Sequence, residues 1–93
     1  MKIYIIGTET CQKIGYTKDV HKRLRQLQTG NAETLKLHYH IDVPEARVKI
    51  LEKKIHKELA HKRLSGEWFN ITPDYGKQIL DFTIIRWLDD PLL

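Results

Sequence analysis

Two short runs of β-branched and aromatic residues near the start of the chain constrain its fold most strongly. Residues 2–7 read KIYIIG and residues 13–17 read KIGYT, and both compositions are typical of strands. The polar link at residues 8–11 is short enough to close a hairpin. The sequence therefore predicts an antiparallel ribbon at the start of the chain.

The register of this ribbon follows from the position of its loop. A loop centred on residues 9–10 places Tyr4 opposite Gly15. The same register places Ile6 opposite Lys13, and the alternation of side chains puts all four on one face. A slip of one residue would undo this arrangement.

The length of the chain and its single cysteine indicate one small intracellular domain. Residues 1–93 can build a modest core that needs no disulfides, and Cys11, in the polar link, cannot form an internal one. We therefore expect a cytoplasmic setting. Because the apolar runs are far shorter than the roughly 20 residues that span a membrane, we expect no membrane partner.

A basic helix is predicted directly after the ribbon. Asp19 is a suitable N-cap, the helix runs to about Gln28, and Gly30 follows where a left-handed cap would fall. Arg23 lies at the edge of the apolar stripe and leans toward whatever the stripe packs against, whereas Arg25 faces solvent. The stripe consists of Val20, Leu24 and Leu27.

Strict alternation predicts a half-buried third strand. Its wet face carries His38 and His40. Its apolar face carries Leu35, Leu37, Tyr39 and Ile41.

A long helix then opens at Pro44 and should end near Lys62. Its core stripe consists of Val48, Leu51, Ile55 and Leu59. Glu52 falls on the border of this stripe, where a carboxylate is costly unless a cation, a metal or a hydrogen-bond donor lies beside it. His56 lies one turn further along the same edge.

The final third of the chain ends in an unusually apolar helix. A turn at residues 64–66 and an extended piece at residues 67–71 lead to a helix from Pro73 to about Leu88. The second half of this helix is apolar nearly all round. We therefore expect a partner surface on it, with a homo-oligomer as one form of that partnership.

The distribution of charge favours a polyanionic partner. Sixteen Lys and Arg residues against twelve Asp and Glu residues give a net charge of +4, which is weak evidence by itself. The basic residues cluster after the ribbon and along the long helix, however, and such clusters are typical of nucleic-acid binding. The candidates for contact with nucleic acid are Lys18, Lys22, Arg25 and Lys53.

Five short pieces, in one order, resemble the GIY-YIG nuclease superfamily, in particular its phage-associated branch with a Lys-Ile-Gly second motif. They are residues 3–4, residues 13–15, residues 17–19 with Arg23, residues 51–52 with His56, and residues 66–70. The resemblance spans nearly the whole chain. It implies a small α/β domain with a three-stranded antiparallel sheet flanked by helices, and metal-dependent cleavage of phosphodiester bonds in DNA.

The resemblance also implies roles for individual residues. Tyr4 matches the motif tyrosine that orients or deprotonates the attacking water, and Arg23 matches the helical arginine that holds the phosphate. Glu52 matches the metal-binding glutamate, with Mg²⁺ or Mn²⁺ as the cofactor. Asn70 matches a late asparagine that braces the site through hydrogen bonds.

This sequence departs from the family pattern at two positions. Lys2 replaces the first motif glycine and Lys13 replaces the second motif tyrosine, while Tyr16 is a supporting residue that should face away from Lys13. The ordinary pKa of tyrosine, about 10, is too high for a base at neutral pH, so we expect Lys13 to lower the pKa of Tyr4. Gly15, opposite Tyr4, would leave room for substrate.

The residues leave alternatives open for both site and function. His56 is either a proton carrier and partner of Glu52 or a packing residue. The leading function is an endonuclease with Tyr4, Lys13, Arg23 and His56 as its catalytic residues. The alternatives are a non-catalytic nucleic-acid-binding module of the same fold and an oligomeric interaction protein built on the last helix.

Overall fold

The chain forms one antiparallel sheet with helices on both faces. The computed structural model describes residues 1–91. The strands are β1 (Lys2–Gly7), β2 (Gln12–Thr17), β3 (Lys36–Asp42), β4 (Arg63–Ser65) and β5 (Trp68–Phe69). The helices are α1 (Val20–Gln28), α2 (Glu45–Glu58) and α3 (Pro73–Trp87), with a 3₁₀ turn at Ala60–Lys62. Across the sheet the strands lie in the order β3-β1-β2-β5-β4.

Two apolar clusters cover the opposite faces of this sheet. The cluster on the α2/α3 face, as we call it, includes Ile3, Ile5, Ile14, Leu51, Ile55, Phe69 and Leu80. The cluster on the α1 face consists of Tyr4, Ile6, Val20 and Leu35, with Leu24, Leu27, Leu37 and Trp68 packed against it. Alternating residues of β1 therefore serve two separate cores, which explains why that strand is buried from Ile3 onward.

The predicted register of the first two strands is confirmed. Tyr4 pairs with Gly15, and Lys13 lies on the same face of the ladder. In the connecting loop the amide of Thr8 donates to the carbonyl of Cys11 at 2.9 Å. The Thr8 hydroxyl in turn accepts from the Cys11 amide at 3.2 Å. These bonds close the loop at a fixed length, and the loop length sets the register.

The number of strands corrects the three-stranded expectation, although the α/β class fits. A hairpin of β4 and β5 turns at Gly66, which adopts a φ of 55°, and adds two strands to the sheet. β5 pairs with Gln12 and Lys13 of β2. Strands of three and two residues are too short for alternation to reveal, so the sequence showed only a turn and an extended piece there.

The third strand does not have the single apolar face that we expected. Its pairing with β1 shifts by one residue between Leu37 and Tyr39, so that His38 is the extra residue of a bulge. Because the bulge reverses the alternation, Leu37 packs on the α1 face and Tyr39 on the α2/α3 face. The His38 ring is partly buried, with Nε2 at 3.0 Å from the carbonyl oxygen of Thr8.

The helix starts follow their predicted caps. The Asp19 carboxylate accepts a hydrogen bond from the Lys22 amide at 3.0 Å, and the Thr72 hydroxyl accepts one from the Tyr75 amide at 3.2 Å. α2 ends at Glu58, earlier than predicted, because the 3₁₀ turn continues the chain from there. The caps fix where α1 and α3 begin, and α1 carries one of the candidate site residues.

α3 leaves apolar side chains uncovered, as its composition predicts. Leu80 and Ile84 are buried, whereas Phe82 is 57% exposed and Ile85 is 84% exposed. Self-association through these two side chains stays a prediction. Among residues 1–91, no helix combines the length and the apolar character needed to cross a membrane.

We expect Leu51→Ala to lower the free energy of unfolding by about 2–5 kcal/mol, because the Leu51 side chain is fully buried between α2 and the sheet. Ile85→Ala, at a site 84% exposed, should change it by less than about 0.5 kcal/mol. Urea denaturation of both variants measures the difference. Equal losses would contradict this description of the core.

Candidate active site

The candidate site begins with a hydrogen bond between β1 and α1. The apolar stripe of α1 packs on the α1 face and carries Arg23 at its edge, where Nε donates to the Tyr4 hydroxyl at 3.2 Å. Nη1 of Arg23 lies 3.4 Å from the side-chain oxygen of Gln26. Since a guanidinium has five N–H donors, Arg23 retains donors for an anion. Arg25 on the same helix is exposed, as predicted.

Gly15 makes room for Tyr4 itself. A Cβ built at Gly15 would lie 2.6 Å from the Tyr4 hydroxyl oxygen and 2.9 Å from Cζ. The Tyr4 side chain is only 1% exposed, so its ring end occupies the space that we expected to be left for substrate. A glycine at this position is what allows the hydroxyl to reach Arg23.

The electrostatics at Tyr4 reverse our expectation of a lowered pKa. Burial raises the pKa of Tyr4 above its ordinary value, and the hydrogen bond and charge of Arg23 offset only part of that rise. The cation at the hydroxyl is thus Arg23 and not Lys13. Tyr4 is consequently a protonated hydroxyl at neutral pH.

Lys13 pairs with a carboxylate instead. Its Nζ lies 3.4 Å from Oε1 of Glu67, and the side chains are 12% and 38% exposed respectively. The same Nζ lies over the ring of Trp68, 5.6 Å from the ring centroid. Lys13 and Trp68 are cross-strand partners in β2 and β5, so the small added hairpin brings both contacts to Lys13.

Glu67 belongs to a cluster of three potential metal ligands. One ligand atom from each of Glu52, His56 and Glu67 lies within 4.8 Å of the others. Nε2 of His56 lies 2.8 Å from the carbonyl oxygen of Ile14. If Nε2 donates to that carbonyl, the lone pair remains on Nδ1, an arrangement typical of histidines that bind metals through one nitrogen. The His56 ring also packs on Phe69, with ring centroids 5.1 Å apart. This contact fits the other role predicted for His56, that of a packing residue.

Burial and neighbouring negative charge both raise the pKa of Glu52 in this cluster. Burial is the largest cause that raises the pKa of Glu52 from 4.5 to about 7, and the charge and hydrogen bond of Glu67 add to it. Lys13 offsets part of the rise. A divalent cation would relieve both causes, since it would replace lost hydration and separate the two carboxylates. The side chains therefore fit a small divalent cation.

The tyrosine and the carboxylates approach one another although they start from opposite faces of the sheet. Glu52 rises from α2, whereas Tyr4 and Arg23 belong to the α1 face. Near Ile14 the two groups lie within electrostatic range of each other, since the charges of Glu67 and Glu52 add to burial in raising the pKa of Tyr4, and Lys13, on the Tyr4 face of β2, pairs with Glu67. The endonuclease hypothesis requires the tyrosine, the arginine and the carboxylates to lie near one phosphate.

The sequence analysis missed Glu67 as a member of the site. Glu67 follows the Gly66 turn, and its carbonyl accepts from the Ile14 amide at 3.1 Å. The available signal was Lys13, a lysine predicted on the same face as the apolar Ile6 and Tyr4, where a charged group needs an anionic partner. Identifying that partner required the pairing of β2 with β5, which is not local in sequence.

The remaining predicted residues lie around the site at different positions. Tyr16 packs against the core of the α2/α3 face, away from Lys13, as predicted. The Asn70 amide donates to the Lys62 carbonyl at 2.8 Å, and Asn70 borders a cavity with Lys62 and Tyr75, so its bracing of the site stays a prediction. The four residues predicted to contact nucleic acid are all exposed: Lys18, Lys22, Arg25 and Lys53.

Comparison with known proteins gives the family. The family model of the T5orf172 domain matches residues 1–86. The chain belongs to the T5orf172 domain family. This family is associated with phage and endonuclease-like proteins, and the finer resemblance to GIY-YIG nucleases stays a prediction. Neither the curated proteins nor the solved structures gave a significant match.

We expect Glu52 of this T5orf172 domain to titrate near pH 7 when no metal is bound. Because its folded-state pKa is raised from 4.5 to about 7, the stability that it contributes is fully present below pH 4.5 and is lost as pH rises through 7. Carboxyl-carbon NMR measures the midpoint of the Glu52 titration. The difference in unfolding free energy between wild type and Glu52→Gln, from urea denaturation at each pH, measures the stability that Glu52 contributes. Glu67→Gln should lower the midpoint. A wild-type midpoint at the ordinary value of 4.5 would contradict the pairing.

We expect Gly15→Ala to destabilise the domain by about 1–3 kcal/mol, because the new methyl would meet the Tyr4 hydroxyl at 2.6 Å. Tyr4→Phe removes that oxygen and should recover part of the loss in the double variant. Thermal unfolding of the two single variants and the double variant tests this coupling. Additive losses would show that the two side chains do not meet.

Proposed function

We propose that this T5orf172 domain is a small divalent-metal-dependent DNA endonuclease of the GIY-YIG type. The observation that supports it best is the convergence of a phosphate-binding arginine with the Glu52, Glu67 and His56 cluster beside one segment of β2. Hydrolysis of a phosphodiester needs cations on the phosphate and an activated water in line with the leaving oxygen. The convergence brings groups suited to these tasks close together.

Arg23 and Lys13 bind and orient the scissile phosphate in this proposal. Arg23 keeps free guanidinium donors beyond its bonds to Tyr4 and Gln26, and its planar fork matches two phosphate oxygens. Lys13 contributes a second positive charge from the neighbouring strand. Because the Lys13 ammonium is mostly buried, its attraction for a phosphate is screened less than that of a surface lysine.

Tyr4 acts by positioning Arg23. Its hydroxyl is buried and protonated, and it accepts from Nε of Arg23, so it turns the remaining guanidinium donors toward the anion. This role differs from direct deprotonation of water. It explains why a lost second motif tyrosine is compatible with function, since no tyrosinate is required.

Glu52, Glu67 and His56 would hold the divalent cation. Mg²⁺ or Mn²⁺ would compensate charge on the phosphate and acidify the attacking water. The imidazole in the set favours Mn²⁺, because nitrogen ligands suit that ion better than Mg²⁺. Without the cation, burial and then the negative charge of Glu67 raise the pKa of Glu52.

The proposal predicts that wild-type protein nicks supercoiled plasmid in Mg²⁺ or Mn²⁺. Glu52→Gln and Arg23→Ala should each lower the rate by about 100-fold or more, since the first removes a ligand of the cation and the second removes a positive charge that binds the phosphate. Gel electrophoresis of the plasmid over time measures the rates. EDTA should abolish cleavage by the wild-type protein.

Matched variants control for surface charge. Glu58→Gln lies on the same helix as Glu52 and Arg86→Ala lies on α3, and both side chains are exposed, so neither should change the rate. Cleavage that survives both site substitutions would refute the proposed site. Binding of DNA without cleavage in either metal would favour the alternative function, a non-catalytic nucleic-acid-binding module. The exposed basic residues support that alternative as well as they support the endonuclease.

A further inference from the structure

A cavity of about 280 Å³ opens on the α1 face, beside Trp68 and Leu35. Trp68 and Leu35 form part of its apolar wall, and Asn31, Glu33 and Ser65 supply polar groups. This volume is slightly below the roughly 300 Å³ at which pockets for drug-sized molecules begin, so it suits one planar ring system. None of the proposed catalytic residues lines it.

The lining chemistry excludes a phosphate and suits an uncharged ring. Among the described residues that line the cavity, Glu33 is charged and no lysine or arginine is present. The charge of Glu33 also raises the pKa of the neighbouring Cys11 thiol, behind burial as the larger cause, so a negative field extends into the cavity. A free anion would be repelled, whereas a base with N–H donors would be attracted.

Asn31 and Glu33 offer a donor and an acceptor beside the aromatic wall. The side-chain oxygen of Asn31 accepts from the Glu33 amide at 3.1 Å, which fixes the Asn31 side chain. In the hydrogen bonds of residues 1–91 the Asn31 amide nitrogen is not used, so it remains a donor for a ligand. The Glu33 carboxylate is exposed and accepts from amino groups.

Trp68 connects this cavity to the proposed phosphate site. It lines the cavity, and it also lies under the Lys13 ammonium, 5.6 Å from the ring centroid to Nζ. A nucleotide whose phosphate contacts Lys13 therefore has its base within reach of the Trp68 wall. Tryptophan faces are the usual stacking platforms for bases of unpaired strands.

We infer that this cavity binds one unpaired nucleobase next to the scissile phosphate, with a preference for bases that carry an exocyclic amino group. The base stacks on Trp68 and donates its amino hydrogens to Glu33, while Asn31 donates to a ring nitrogen or carbonyl. Thymine has no amino group and binds less well. The substrate is accordingly single-stranded or locally opened where it is cut, since a base inside a duplex cannot enter the cavity. This inference rests on the nucleic-acid substrate of the proposed function.

Binding without metal tests the inference separately from cleavage. In Trp87→Phe protein with EDTA, Trp68 is the only tryptophan and its fluorescence reports the cavity. The probes are single strands of about ten nucleotides, all-cytosine, all-thymine or fully abasic, with the same number of phosphates. All-cytosine DNA should quench Trp68 and bind at least about fivefold more tightly than abasic DNA, because one stacked base supplies about that factor or more.

Glu33→Gln should reduce the preference for cytosine over thymine by at least about fivefold, since it replaces the carboxylate acceptor. Glu9→Gln, in the exposed hairpin loop outside the cavity, is the matched control and should leave the preference unchanged. Equal affinity for abasic and cytosine strands, or a preference that survives Glu33→Gln, would overturn the inference.

The plasmid assay separates the two proposals. Uncut plasmid together with tight, base-dependent binding would refute the nuclease and keep the cavity. Cut plasmid together with base-independent binding would support the nuclease and refute the base-binding cavity. A failure of all three strands to bind would refute the base-binding cavity, and the plasmid assay would still decide the nuclease.

Discussion

The antiparallel pairing of the first two strands is the constraint on which the rest of the structure depends. It sets Tyr4 opposite Gly15, the one residue type that leaves space for the tyrosine hydroxyl. The buried hydroxyl then needs a partner, and Arg23 supplies it from α1. A single register thus couples a core position, a glycine and an arginine of α1.

The second strand is also where two faces of the sheet meet. The Ile14 carbonyl oxygen lies 2.8 Å from Nε2 of His56 and the Ile14 amide donates to the Glu67 carbonyl, so the cluster of Glu52, His56 and Glu67 is tied to the same strand as Gly15. The cluster is costly for stability, because Glu52 is half-buried beside a second carboxylate and only partly compensated by Lys13. A cost of this kind is common where a fold keeps a site for a cation.

Lys13 and Trp68 show how one cross-strand pair can serve two sites. The ammonium neutralises Glu67 on one side and lies over the indole, which in turn walls a separate cavity. In the function that we propose, this pair joins phosphate binding to base recognition within one small sheet.

The sequence by itself determined the local features: the ribbon and its register, the caps of α1 and α3, the exposed apolar side of α3, and the position of Glu52 at a stripe border. These follow from short-range periodicity and turn chemistry, which act over a few residues. The tertiary structure alone decided three others: the bulge at His38, the added β4–β5 hairpin, and the meeting of Glu67 with Lys13 and Glu52. Each depends on strands or helices far apart in the chain, and neither alternation nor helical spacing encodes which distant segments will pair.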